Sequence, residues 1–154
     1  PKPIPPISSV ERAELSKRMS QLSAREDLDF SRPDTIAAYY MEDMRYYRQE
    51  HLKLLMLNTR SRLIGESEIS RGTVNMSVIS PRELFIEALQ KNAVYIILLH
   101  NHPSGDPMPS REDILVTQRI REGGSLLGIE LLDHIIIGDN CYVSLAEQKL
   151  LKEK

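Results

Sequence analysis

The apolar positions of this chain change their spacing along its length, and each change marks an element. Residues 80–92, SPRELFIEALQKN, carry Leu84, Phe85, Ala88 and Leu89 at helical spacing. Ser80 and Glu83 frame a capping box, and Pro81 takes the first helical position, where its missing N–H costs nothing. The spacing predicts a helix there that buries those four residues. Residues 93–99, AVYIILL, are apolar without a break, as in a strand covered on both faces. Residues 110–124, SREDILVTQRIREGG, return to helical spacing, capped by Ser110 and ended by glycines. Upstream, HLKLLMLN and LIGESEIS flank the turn residues TRSR and predict a β-hairpin. Downstream, GIELLDHIIIG and CYVSL predict two strands joined at GDN. RGTVNMSVI fits either a loop or an edge strand.

The ends have a different texture. PKPIPPI holds four prolines in seven residues and reads as an extended arm. SSVERAELSKRMSQLS predicts a polar helix. SRPDTIAAYYMEDM predicts another, with Ser31 as cap and Pro33 in its first turn. AEQKLLKEK predicts a short terminal helix. The order α-α-β-β-α-β-α-β-β-α is that of an α/β domain with a mixed β-sheet flanked by helices.

Composition narrows the function classes. At 154 residues with 41% hydrophobic content, one ordinary domain with a real core is expected. A net charge of −2 sets up no field that would draw nucleic acid or an anionic membrane. Cys141 is alone, so no internal disulfide can form, which fits a reducing cytoplasm. No uncharged apolar run approaches the ~18 residues of a membrane span. The first residue is Pro1 rather than Met, so a missing N-terminal part is expected.

The chemistry concentrates in LLHNHPSGDPMPSREDI, residues 98–114. On a strand, His100 and His102 point to one face and Asn101 to the other. Pro103 ends the pairing, and the chain turns into the helix that begins at Ser110. Asp113 stands in that helix's first turn. A strand end and a helix start can thus bring two imidazoles and a carboxylate to one point, a set that suits Zn²⁺. Three protein ligands leave a fourth position for water, which the metal acidifies from about 15.7 to about 7. The competing reading is a histidine-bearing turn, with Ser110 and Asp113 serving only to cap the helix.

His-x-His, ten residues, then Asp, with Ser three before the Asp, resembles the JAMM (MPN+) metalloprotease motif. HNHPSGDPMPSREDI, EHLKLLMLNTRSRLIGE, SPRELFIEALQKNA and LLGIELLDHIIIGDNCYVSLAE are similar to segments of the RadC family, bacterial proteins with a JAMM-like domain. The resemblance spans roughly residues 31–151 and implies an MPN-like, cytidine-deaminase-like fold. It divides the chain into residues 1–30, an arm and the trailing helix of a missing helix–hairpin–helix region, and 31–154, a metal-binding domain. It implies that His100, His102 and Asp113 bind Zn²⁺ and that Ser110 stabilises the tetrahedral intermediate. Glu50, ahead of the first core strand, would pass a proton from the zinc-bound water to the leaving amine. The implied activity is hydrolysis of a peptide or isopeptide bond by metal-bound hydroxide.

Other residues and functions compete. Glu66 and Glu68 share one face of the neighbouring strand and rival Glu50; Glu112 adjoins Asp113 but points elsewhere. His51 reads as structural or exposed, and His134 as a satisfied strand histidine or, with Asp133, a support behind the site. Cys141 reads as a small core residue. The tyrosines of MEDMRYYRQE could stack on single strands, but a helix end leading into the sheet fits them better. The RadC resemblance also implies a second function, a DNA-repair accessory without proteolysis. Nucleic acid binding would then reside in the missing N-terminal region, because this chain offers no basic stripe. The substrate, expected to be a peptide or protein, and the oligomeric state are not legible.

Overall fold

The computed structural model describes residues 8–10, 12–13 and 28–151. The proline-rich arm, most of the helix expected over 8–23, and residues 152–154 lie outside them. The first complete element is helix α1, Pro33–Met44. Strands β1, His51–Leu57, and β2, Leu63–Arg71, form the expected hairpin. Helix α2, Pro81–Gln90, leads to β3, Tyr95–Asn101. Helix α3, Arg111–Leu127, then crosses to β4, Glu130–Ile137, and β5, Tyr142–Ser144.

The five strands lie in the order β2-β1-β3-β4-β5. Only β3 and β4 are parallel, joined by the α3 crossover, so the sheet is mixed. Alternation explains its two packed faces. Leu52, Leu54, Met56, Ile96 and Leu98 pack with Leu84, Phe85 and Ala88 of α2 and Val116 and Ile120 of α3. Leu55, Leu57, Ile97, Leu99, Ile135 and Ile137 pack on the other face with Ile36, Ala37, Tyr40 and Met44 of α1. The fold is therefore a three-layer α/β sandwich, with α1 on one side and α2 and α3 on the other. Among the described residues no helix is long and apolar enough to cross a membrane.

Several local expectations are corrected. The α1 cap is Arg32, without a side-chain bond; the Ser31 hydroxyl instead donates to Asp29 at 2.7 Å. Leu89 lies one residue from the end of α2 and is half-exposed, so the buried stripe narrows to Leu84, Phe85 and Ala88. The pair Gly123–Gly124 does not end α3. The helix runs to Leu127 and stops at Gly128, whose φ of 74° is the left-handed C-cap. Gly124 is needed for a different reason: a Cβ there would stand 2.2 Å from the Ile129 carbonyl oxygen. Residues 145–149 form turns rather than a helix, ending at Lys149 with φ 55°. Cys141 is exposed in the turn before β5 instead of lying in the core. Residues 72–79 form a loop, fastened by the Asn75 side chain, which accepts from Ser77 and Val78.

Candidate metal centre

The site forms where β3 and β4 end and α3 begins, the place where open α/β sheets hold ligands. In the β1–β3 register Leu52 faces His100. Continuing that antiparallel register by two residues sets Glu50 opposite His102, on the face of His100. Glu50, His100 and His102 each offer a ligand atom, all within 4.8 Å of one another. Glu50 Oε1 lies 3.2 Å from His100 Nε2 and 3.9 Å from His102 Nε2. Asp113 stands outside that triad but reaches both imidazoles. Its Oδ2 is 3.0 Å from His102 Nε2 and its Oδ1 is 3.5 Å from His100 Nδ1.

His102 sits one residue past β3, yet its N–H donates to the Ile137 carbonyl and so extends the ladder. Its Nδ1 lies 2.9 Å from the Asp106 carbonyl oxygen, which can only accept. Nδ1 therefore carries a proton, and Nε2 is turned towards Asp113 and Glu50. A ligating histidine is oriented in this way, by donating its other N–H to a carbonyl. The hydrogen bond to Asp113 raises the His102 pKa against the effect of burial. Asp113 thus favours positive charge at His102 Nε2, in a position that a cation could take.

His100 is fully buried, and neither ring nitrogen makes a hydrogen bond. Burial lowers its pKa to about 3, so the ring is neutral and its lone pair is available at pH 7. Such an unbonded buried imidazole is costly, and a metal ion would satisfy its lone pair. Burial pushes Asp113 up, but bonds from His102 and from the Ser110 N–H outweigh it, and the carboxyl stays well below its usual range. Burial raises the Glu50 pKa, partly opposed by the charge of His102. Ser110 and Asp113 complete a reciprocal capping box: the Ser110 hydroxyl accepts from the Asp113 N–H at 3.0 Å, and Asp113 Oδ2 accepts from the Ser110 N–H at 2.8 Å. The donor set suits a divalent cation, and the elements bring together all five residues singled out in the sequence.

The rival carboxylates are elsewhere. Glu66 pairs with Leu55 and Glu68 with Lys53, on the α1 face of the sheet. Glu66 accepts from the Tyr40 hydroxyl, and Glu68 from Arg71 and His51. Tyr47 packs its ring on His51 at 4.2 Å.

Residues 30–150 match the family model of the RadC-like JAB domain. The chain belongs to that family. It is 49% identical over 136 residues to a UPF0758 protein of Clostridium botulinum, covering 88% of this chain and 60% of the relative. A UPF0758 protein of Clostridium kluyveri is 48% identical over 139 residues, covering 90% and 61%. One of Clostridium novyi is 46% identical over 138 residues, covering 90% and 60%. The chain thus spans about three fifths of the length of these curated relatives.

In this RadC-like JAB domain three further polar residues bear on the site, and the sequence suggested such a role only for His134, as one of two readings. His134 lies against His100, ring centroids 5.7 Å apart. Thr117 Oγ1 is 2.6 Å from both the Asp113 carbonyl oxygen and His134 Nδ1. The hydroxyl has one proton and the carbonyl can only accept, so Thr117 donates to Asp113 and His134 donates its Nδ1–H to Thr117. Thr117 follows Asp113 by four residues, one helical turn, which is the periodic signal that could have found it. Asn101 was placed on the far face, where alternation puts it, but no pattern showed what it holds there.

Proposed function

We propose that this RadC-like JAB domain is a zinc-dependent hydrolase that cleaves a peptide or isopeptide bond. The observation that carries the reading is the donor set itself. His102 is oriented through Asp106, the buried imidazole of His100 has no hydrogen bond, and two carboxylates converge on the pair. His100, His102 and Asp113 would hold Zn²⁺, which supplies acidification of water and polarisation of the scissile carbonyl. Glu50 takes the proton of the attacking water; its pKa, raised by burial, suits a group that must then return that proton. The proton goes to the leaving nitrogen as the C–N bond breaks. The Ser110 hydroxyl accepts from the Asp113 N–H, and its own O–H remains to donate to the developing oxyanion.

The test is metal analysis of protein purified without chelators, joined to cleavage of peptide and isopeptide-linked substrates. One zinc per chain is expected in both the wild type and Glu50→Gln, with cleavage in the wild type only. Metal-free wild-type protein would count against the hydrolase. Loss of zinc from Glu50→Gln would make Glu50 a ligand instead of the base.

A further inference from the structure

The structure assigns Asn101, the middle residue of His-Asn-His, as the positioning residue of Glu50. The inference rests on the hydrolase reading and extends it to the group that sets the base in place. Glu50 belongs to no regular element; it lies in the coil between α1 and β1. The β1–β3 ladder stops at the pair Leu52–His100. Beyond it, the Asn101 side chain takes over. Its Oδ1 accepts from the His51 N–H at 2.7 Å, and its Nδ2 donates to the Gln49 carbonyl at 3.0 Å. One amide therefore grips the chain on both sides of Glu50.

The chemistry explains why the residue is asparagine. The grip needs an acceptor and a donor on two separate atoms of a short side chain, which a carboxamide supplies. Asn101 is buried, so the two bonds are shielded from competing water. Because it points away from His100, it holds the segment from behind without entering the site. One further bond completes the hold: the Gly72 N–H donates to the Glu50 carbonyl at 2.8 Å. The sequence neighbours of the two imidazoles and of the base are thereby tied to each other, which fixes a distance that loop closure alone would leave loose. A displacement of about 1 Å at a proton-transfer group costs on the order of 100-fold in rate.

The test uses the whole chain, loaded with Co²⁺ as a coloured probe of the metal site. Asn101→Ala, Asn101→Asp and Glu50→Gln are compared with the wild type. Asn101→Ala is expected to keep one metal per chain. The pH at which its Co²⁺ absorption bands change should move in the same direction as in Glu50→Gln. Amide exchange at His51 should accelerate at least tenfold, while Leu54 and Leu98 stay protected. Asn101→Asp keeps the acceptor for the His51 N–H and loses the donor to Gln49, so its effect should be intermediate. If Glu50→Gln moves the bands and folded Asn101→Ala leaves them at the wild-type pH, the assignment fails. It fails equally if Asn101→Ala loses metal that Glu50→Gln retains, since Asn101 would then serve the imidazoles. A wild type that takes up no metal would sink the hydrolase reading alone. Exchange at His51 against Leu54 would still decide whether Asn101 holds the segment.

Discussion

Gly138→Ala should weaken metal binding from outside the ligand set. Gly138 follows β4, and a Cβ there would stand 2.4 Å from the Gly105 carbonyl oxygen, 2.9 Å from Pro107 Cδ and 3.0 Å from Cys141 Sγ. A carbon and a carbonyl oxygen normally approach no closer than about 3.3 Å, so the Gly105 carbonyl must retreat by roughly 1 Å. That carbonyl accepts from the Asp139 N–H at 2.9 Å, and the Gly105 N–H donates to the His102 carbonyl at 3.0 Å. The same loop carries the Asp106 carbonyl that orients His102. Overpacking costs roughly 1–3 kcal/mol, and the lost Asp139 bond adds about 1 kcal/mol. The fold should therefore survive with about 2–4 kcal/mol less stability. Disturbing the carbonyl that orients a ligating histidine should lower zinc affinity about 10- to 100-fold. Thermal melts of the metal-free protein and competition with a chromogenic zinc chelator measure the two effects separately. Gly128→Ala is the control: its φ of 74° is strained for alanine, but its Cβ would meet nothing within 4 Å, so stability falls by about 1–2 kcal/mol at unchanged affinity. Wild-type zinc affinity in folded Gly138→Ala would refute the loop's role in aiming His102.

Two further outcomes follow from the packing and from the buried imidazole behind the site. Gly124→Ala would drive a Cβ to 2.2 Å from the Ile129 carbonyl oxygen and strain the Ile129 N–H bond to the Gly124 carbonyl. A loss of about 3 kcal/mol or more is expected in denaturant melts, and a change within about 0.5 kcal/mol would contradict the close α3–β4 approach. Burial lowers the His134 pKa from 6.5 to about 4, so the unfolded chain takes up this proton first. Stability present above pH 6.5 should then drain away as pH falls towards 4, by roughly 3 kcal/mol for this residue. Denaturant melts of metal-free wild type and His134→Asn from pH 7 to 4 check this. An equally steep decline in both would show that His134 contributes nothing to it.

What the sequence revealed and what it withheld divide along the distance over which each feature is decided. Hydrophobic spacing located α2, α3 and every strand because burial of a helix stripe or strand face is decided locally. His100, His102, Ser110 and Asp113 were legible for the same reason, as one strand end, one loop and one helix start hold them all. Terminal features were less legible. Lys149 adopts a left-handed turn where AEQKLLKEK looked helical, and Gly124 sits inside a helix because Ile129 approaches it. Glu50 lies 50 residues before His100 in the sequence, and no local spacing connects them; family resemblance supplied the residue, and only the β1–β3 register supplies its position. The β1–β2 register decides against Glu66 and Glu68, which a one-residue slip would have turned to the face of His100. Strand pairing alone leaves Glu50 two residues beyond the last ladder pair, in irregular chain. The link from register to chemistry therefore has to be made by a side chain, and Asn101 is the side chain whose bonds reach both neighbours of Glu50.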